Sequence, residues 1–88
     1  MKSVQVGENT LAVELLNISR HGIWVLVKGE ELFLGFDLFP WFRRASVEDI
    51  ANVELHGEDH LYWPDLDIDL TTEIIRYPER YPLIQQIS

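Results

Sequence analysis

The segment that most constrains the fold is "GIWVLVKGEELFLGF", residues 22–36. Its first strand-like run, residues 23–28, is β-branched, aromatic or aliphatic at every position except the last, which is typical of a central strand covered on both faces. The Gly-Glu pair at 29–30 has the pattern of a two-residue type II′ turn, and residues 31–36 form the return strand. The segment therefore predicts an antiparallel hairpin at the centre of the fold.

The predicted turn also sets a register for this hairpin. With residues 29–30 in the turn, Lys28 pairs with Glu31, and Trp24 lies opposite Gly35. The indole would then cover the bare backbone of the glycine, as aromatic side chains do in designed sheets. The other face of the hairpin collects six apolar side chains that we expect in the core, namely Ile23, Val25, Val27, Leu32, Leu34 and Phe36.

Two further elements flank this hairpin. Residues 11–19 indicate a strand whose apolar phase shifts between Leu15 and Leu16, which predicts a β-bulge there. Residues 46–52 indicate a short helix, because Ser46 is a good N-cap and acidic residues follow it at the positive end of the helix.

The remaining sequence predicts a second hairpin and a second helix. Pairing Leu55 with Leu61 across the "GED" turn buries one side of the hairpin and leaves polar residues on the other. A helical turn follows and ends before Pro78. We therefore expect an α+β fold, a small mostly antiparallel sheet of about five strands in two hairpins with two short helices. Residues 1–10 form a loose lead-in and residues 11–88 a single α+β domain.

Composition narrows the class of protein. The 88 residues include no cysteine, so a disulfide framework and a thiolate metal site are both excluded. No apolar run approaches the roughly 20 residues of a membrane helix, and the first residues do not resemble a secretory signal. We expect a cytoplasmic protein that does not bind a membrane.

The net charge of −8 lies entirely in the second half of the chain. Residues 1–44 hold five acidic and five basic residues, whereas residues 45–88 hold ten acidic and only two basic ones. Such a surface repels phosphate backbones, so direct binding of nucleic acid is not expected, but it attracts a basic protein. The alternative is an acidic face that serves only solubility.

The aromatic stretch "FPWFRR", residues 39–44, has two interpretations. Its three aromatic side chains can close one end of a small core. Alternatively, some of them are exposed beside the two arginines, a composition typical of interface hot spots. Under the second interpretation the contact residues are Phe39, Trp41, Phe42, Arg43 and Arg44.

Three aspartates alternate at Asp65, Asp67 and Asp69, just after a Trp-Pro pair. A calcium loop requires glycine at its sixth position and glutamate at its twelfth, but this segment has Leu70 and Arg76 there. In an extended segment the three carboxylates would share one solvated face. They are therefore interpreted as strand surface, with a partner-binding surface or a weak metal site as alternatives.

His56 and His60 face each other across the second predicted hairpin, and such a pair can bind zinc. Glu54 or Asp59 could supply a third ligand, although exposed hairpin histidines are usually only polar surface. No carboxylate shows the desolvated setting of a general acid, and no serine has a nucleophile motif. The sequence therefore predicts no catalytic residues, no cofactor and no metal, with His56 and His60 as the alternative metal ligands.

Four segments together resemble the bacterial domain-of-unknown-function family DUF2442, and the resemblance covers about residues 11–83. It implies a small α+β fold and no established enzymatic activity. Relatives are often encoded beside small partner genes, and some of these pairs are suspected toxin–antitoxin modules. Other members carry a C-terminal helix-turn-helix, which residues up to Ser88 do not supply. The four segments are "GIWVLVKGEELFL", "FPWFRRAS", "IANVEL" and "HLYWPDLDIDL".

Residues and resemblance together predict a non-catalytic protein-interaction domain. Its partner would be another protein of basic charge, in the manner of an antitoxin that masks a small neighbouring protein. Self-association into a homodimer is a second way to cover the exposed aromatics. A small-ligand or divalent-metal-binding domain is the alternative function.

Overall fold

The computed structural model describes residues 12–81, so the lead-in predicted for residues 1–10 and the segment 82–88 lie outside the described residues. Within this range the chain forms six strands and two short α-helices. Two single-turn 3-10 helices, Pro40–Phe42 and Pro78–Arg80, complete it. In chain order the elements are β1 (Val13–Ile18), β2 (Gly22–Val27), β3 (Glu30–Gly35), α1 (Val47–Ala51), β4 (Glu54–His56), β5 (His60–Trp63), β6 (Ile68–Thr71) and α2 (Thr72–Arg76).

The strands form two three-stranded antiparallel sheets, ordered β1-β2-β3 and β4-β5-β6. The α+β class, the antiparallel pairing and the two short helices are confirmed, but the expected single sheet of about five strands is wrong. Two features explain the difference. The Pro40 turn and α1 separate β3 from β4, and a turn over residues 64–67 returns the chain so that β6 pairs with β5.

The β2–β3 hairpin has a different turn from the predicted one. Lys28 and Gly29 occupy the turn with positive φ angles of 51° and 87°, as a type I′ turn requires. Val27 therefore pairs with Glu30, and the predicted register is wrong by two residues. The faces remain as predicted, since a shift of two residues moves no side chain to the other side of a sheet. Lysine rarely adopts positive φ, which is why the sequence favoured the glycine-first turn.

Two glycines pair at the end of the β2–β3 hairpin that lies farthest from its turn. Gly22 lies opposite Gly35, and a Cβ atom at Gly22 would stand 2.4 Å from the Leu34 carbonyl oxygen and 2.7 Å from the Phe33 ring. A Cβ at Gly35 would lie 3.3 Å from the same ring. Phe33, and not Trp24 as predicted, therefore covers the strand glycines. Trp24 pairs with Phe33 itself.

Several local predictions are confirmed. The β1–β2 register shifts between Leu15 and Asn17, which makes Leu16 the extra residue of the predicted bulge. The Ser46 hydroxyl accepts a 3.0 Å hydrogen bond from the backbone N–H of Asp49, as an N-cap should. Leu55 pairs with Leu61 in the second hairpin.

A single cluster of buried side chains joins the inner faces of both sheets. All six apolar residues predicted for the hairpin's inner face belong to it. At its centre the rings of Phe42 and Trp63 meet edge to face, with centroids 4.8 Å apart. Because these rings come from the two halves of the chain, neither sheet completes its hydrophobic core without the other.

One flank of the two sheets is bridged by α2 and by ion pairs. Helix α2 continues directly from β6 and contacts β3, and the Arg76 guanidinium binds the Glu30 carboxylate. Near the hairpin tip the Lys28 Nζ atom lies 3.0 Å from Glu58 Oε1. Among residues 12–81 no helix has the length and apolar character needed to span a bilayer.

Candidate functional site

The outer face of the first sheet exposes large apolar side chains. Trp24 and Phe33, a directly opposed cross-strand pair, are 39% and 38% exposed, and their ring centroids are 5.0 Å apart. Leu16 at the bulge is 41% exposed, and Leu26 is half-buried. We call these four residues the outer aromatic face. It is an exposed apolar patch whose two aromatic rings pack against each other.

Carboxylates flank this face on both sides. Glu14 of β1 and Glu31 of β3 both pair with Leu26 of β2, so the three residues form one row across the sheet. Both glutamates are exposed, and within residues 12–81 neither takes part in an ion pair. The outer aromatic face is therefore bordered by negative charge that the described residues do not neutralise.

The "FPWFRR" stretch is mostly core. Phe39 and Phe42 are 1% and 0% exposed, so the suggestion that these two rings contact a partner is wrong. The 3-10 turn that Pro40 begins directs them inward, where Phe42 packs on the Trp63 ring. Trp41 is half-buried, and its ring lies 6.1 Å from that of Phe39. The interpretation in which the aromatics close one end of the core fits this arrangement.

The two arginines that follow are exposed, and their role as contact residues stays a prediction. The guanidinium carbon of Arg43 stands 5.6 Å from the centroid of the Phe36 ring, within cation–π range. Arg44 is the next residue of the same turn and is also exposed. These residues form a small basic corner on a protein whose net charge is −8.

The three aspartates do not share one strand face. Residues 64–67 form a turn in which Asp67 has a φ of 54°, and only Asp69 lies in β6. Asp65 accepts a 2.9 Å hydrogen bond from the side-chain amide of Asn52. Asp69 instead contacts the His60 imidazole. The prediction of an extended row is therefore wrong, since asparagine and aspartate tolerate the positive φ that a turn requires.

The predicted pairing of His56 with His60 across the second hairpin is confirmed. Strand β6 adds Asp69 beside His60, and His56 Nε2 lies 2.8 Å from Glu54 Oε1. A depression of about 350 Å³ is lined by the two histidines, Tyr62 and Asp69. Within residues 12–81 no three metal-ligating side chains are arranged to hold an ion together.

The carboxylates whose pKa values shift belong to ion pairs on the bridged flank. The side-chain hydrogen bond from Arg76 holds the pKa of Glu30 below its ordinary value, and the bond from Lys28 does the same for Glu58. The pKa of Arg76 is raised by the same bond to Glu30. These pairs tie the two sheets together.

The exposure of the outer aromatic face differs from the expectation for this hairpin. The apolar residues at 24, 26 and 33 carried the signal, because they fill the second face of a hairpin whose first face already supplies the core. They were interpreted as covered on both sides. In the described part of the chain, however, the second sheet packs only on the inner face. The second apolar face of this hairpin, for which the sequence offers no covering segment, was the pattern that could have predicted the exposed surface.

Comparison with known proteins identifies a family for this chain. The family model described as "Protein of unknown function (DUF2442)" matches residues 12–81, which is most of the 88-residue chain. No curated protein and no solved structure matches it significantly. The matched range contains all six strands and both helices, from β1 to the 3-10 turn after α2. The chain therefore belongs to the DUF2442 family of proteins of unknown function.

Proposed function

We propose that this protein is a non-catalytic interaction domain that binds a basic protein through the outer aromatic face. The observation that carries the proposal is the exposed Trp24–Phe33 pair on a sheet whose other face is fully committed to the core. Interface hot spots are enriched in tryptophan, and large aromatic anchors supply much of the binding energy of a typical interface. The pair needs little ordering on binding because each ring already restrains the other.

The charges support a basic partner. Glu14 and Glu31 border the outer aromatic face, and lysine or arginine side chains could meet both the carboxylates and the aromatic rings. The acidic second half would add a longer-range field that speeds encounter. An antitoxin-like role, in which the domain masks a small basic protein, is the biological form that we favour for this interaction. A homodimer would instead place two surfaces of like charge together.

The exposure of the aspartate side chains supports a role that does not involve catalysis. Asp65, Asp67 and Asp69 are exposed and belong to a turn and to the strand that follows it. General acid–base catalysis by a carboxylate generally relies on a desolvated group beside a substrate pocket. Carboxylates exposed in this way suit steering and hydrogen bonding at a protein surface.

The test is to capture the partner from the source cells by cross-linking and then to measure its binding kinetics across a salt series. We expect a protein of basic isoelectric point whose association slows as salt rises, since the Debye length falls from about 10 Å at 0.1 M to about 3 Å at 1 M. Trp24→Ser should speed dissociation roughly 30-fold or more, the effect of losing a hot spot of about 2 kcal/mol.

Trp41→Phe is the matched control, because Trp41 is a half-buried tryptophan outside this face. We expect the control to leave binding unchanged. If Trp41→Phe weakens binding and Trp24→Ser does not, the contact surface lies at residues 39–44 and the proposed one is wrong. An acidic partner, or an association rate independent of salt, would also contradict the proposal.

Small-ligand binding is a second candidate function. The depression that includes His60, Asp69 and Tyr62 combines an imidazole, a carboxylate and a phenol on one sheet face. A divalent cation at 100 times its dissociation constant would add about 2.7 kcal/mol to the stability. Melting temperatures with zinc, manganese or calcium test this function. A rise of several degrees that His60→Gln abolishes would favour it over the interaction domain.

A further inference from the structure

Two sheet edges meet at one groove on the flank opposite α2. The groove has a volume of about 550 Å³ and is lined by two runs of consecutive residues, 12–15 and 51–56. Side chains alternate between the faces of a strand, so consecutive residues line one groove only when the backbone edge itself faces it. The free edge of β1 therefore forms one wall. The other wall begins at Ala51, the last residue of α1, and continues through Asn52 and Val53 into the free edge of β4, and α1 also contacts β1. Both β1 and β4 are edge strands of their sheets.

The hydrogen bonding of β1 shows which backbone groups face the groove. The Lys28 N–H donates a 2.8 Å hydrogen bond to the Ala12 carbonyl, so these two residues form a hydrogen-bonded pair in the β1–β2 ladder. Such pairs alternate along an antiparallel ladder. Glu14 therefore also bonds to β2. Val13 and Leu15 direct their N–H and C=O groups away from β2, toward the groove.

The same reasoning applies to β4. The Thr72 N–H donates a 2.9 Å bond to the Asp59 carbonyl, which fixes the alternation in the β5–β6 ladder and, through it, in β4–β5. His56 and Glu54 consequently bond to β5, and Leu55 directs its backbone groups to the groove. Three edge residues, Val13, Leu15 and Leu55, thus offer backbone donors and acceptors to the same space.

Edge strands are usually protected against pairing with another chain. The bulge at Leu16 protects the second half of β1, but residues 12–15 come before it, and β1 contains neither proline nor lysine. On the opposite flank, α2 and the Arg76–Glu30 ion pair bridge the sheets. Among the described residues, no strand pairs with the free edge of β1 or of β4.

From this geometry we infer that the groove binds an extended, basic segment of a partner protein as a strand added to the free edge of β1. The inference rests on the proposed function and locates a second contact of the same partner, since β1 borders both the groove and the outer aromatic face. Added strands obtain affinity from backbone hydrogen bonds and specificity from alternate side chains.

The groove lining indicates the charge of the segment. Val13, Leu15 and Leu55 belong to the inward-facing, buried or half-buried positions of their strands, while Glu14 and Glu54 are exposed on the outer faces. No lysine or arginine lines the groove. A segment that alternates β-branched and basic residues would match both sets of side chains. A second copy of β1 that paired Val13 with Leu15 would instead place Glu14 opposite Glu14, which is unfavourable.

The test uses an acetylated and amidated hexapeptide of alternating valine and lysine, with the same peptide carrying glutamate in place of lysine as its control. Amide hydrogen exchange and chemical shifts of the 88-residue protein report the site. We expect the lysine peptide to slow exchange at the Val13 and Leu15 amides at least fivefold, and the glutamate peptide to have no effect.

Leu15→Pro removes the edge N–H and leaves the β1–β2 ladder intact, because the Leu15 N–H does not bond to β2. We expect it to weaken peptide binding at least tenfold relative to Leu15→Ala, which removes the same side chain but keeps the N–H. If Leu15→Pro does not fold, the double variant Glu14→Lys and Glu54→Lys replaces it and should reverse the preference between the two peptides.

The outcomes separate this inference from the proposed function. Failure of the lysine peptide to bind, or binding without protection of Val13 and Leu15, would overturn the groove as a docking site. The proposed function would stand in either case if the captured basic protein still depends on Trp24. If binding of the captured protein does not depend on Trp24 but the peptide still protects Val13 and Leu15, the groove is supported as a docking site. The outer aromatic face is then wrong as the contact surface.

Discussion

The indole N–H of Trp63 donates a 2.9 Å hydrogen bond to the backbone carbonyl of Ile50, and both side chains are almost completely buried. The bond links β5 to α1 and leaves the one polar atom of the indole satisfied in the interior. The Phe42 ring packs against the same indole. The Trp63 side chain thus contacts three parts of the fold. It belongs to the second sheet, bonds to α1 and packs on the loop that carries residues 39–44.

We expect Trp63→Phe to lower the free energy of unfolding by about 2–4 kcal/mol, because it leaves a buried carbonyl without its donor and opens a cavity. Trp41→Phe is the control, since Trp41 is only half-buried, and its cost should stay below about 1 kcal/mol. Urea denaturation of both variants measures the difference. Equal losses would show that the Trp63–Ile50 bond contributes little.

The paired strand glycines differ in the space around them. Gly22→Ala should destabilise by about 1–3 kcal/mol or more, because the added methyl group meets the Leu34 carbonyl, which is backbone and cannot move aside. Gly35→Ala meets only the Phe33 ring and should cost clearly less. Thermal melts of the two variants provide the comparison. A larger loss for Gly35→Ala would contradict the observed register.

The type I′ turn predicts that substitutions at Gly29 lower stability through backbone conformation alone, without a steric clash. A side chain at Gly29 has open space, but the φ of 87° disfavours any residue with a Cβ atom. Gly29→Ala should therefore cost about 1–2 kcal/mol, and Gly29→Asn less, since asparagine tolerates positive φ. Chemical denaturation measures both. If alanine and asparagine are equally tolerated, residue 29 does not hold this conformation in solution.

The ion pair between Arg76 and Glu30 predicts a dependence of stability on pH. Because the folded-state pKa of Glu30 lies below its ordinary value of 4.5, its contribution is complete above that pH and is lost as pH falls through the lower, folded-state value. The difference in melting temperature between the native protein and Glu30→Gln should therefore be constant above about pH 4.5–5 and shrink in more acidic solution.

Glu31→Gln is the control for this pH series, because Glu31 is exposed and joins no ion pair within the described residues. Its melting temperature should follow that of the native protein, with the same acid-dependent loss. A difference for Glu30→Gln that persists unchanged below pH 3 would contradict the ion pair as its cause.

Local patterning predicted the elements of this fold well, because each depends on residues close in sequence. The Ser46 cap, the bulge at Leu16 and the faces of the first hairpin all follow from alternation or capping. The register did not follow, since it depended on Lys28 accepting a positive φ that lysine usually avoids. A two-residue error of this kind changes every cross-strand neighbour while preserving both faces.

The surfaces were harder to predict because they depend on which elements pack together. The apolar pattern at Trp24 and Phe33 implied a cover, and only the arrangement of the two sheets shows that none of the described residues supplies one. Asp69 reaches His60 because a turn at residues 64–67 brings β6 beside β5. Alternating aspartates alone could not indicate that turn.

The order of strands in the two sheets has a consequence for how the chain folds. Within residues 12–81 every strand pairs only with strands next to it in the chain, so each sheet can form by closing short loops, a process that costs little entropy. The links between the sheets are distant, since Arg76 and Glu30 are 46 residues apart and Lys28 and Glu58 are 30 apart. We therefore expect the docking of the two three-stranded sheets to be the slow step of folding. Core changes at Phe42 or Trp63 should then slow folding more than changes at either hairpin turn.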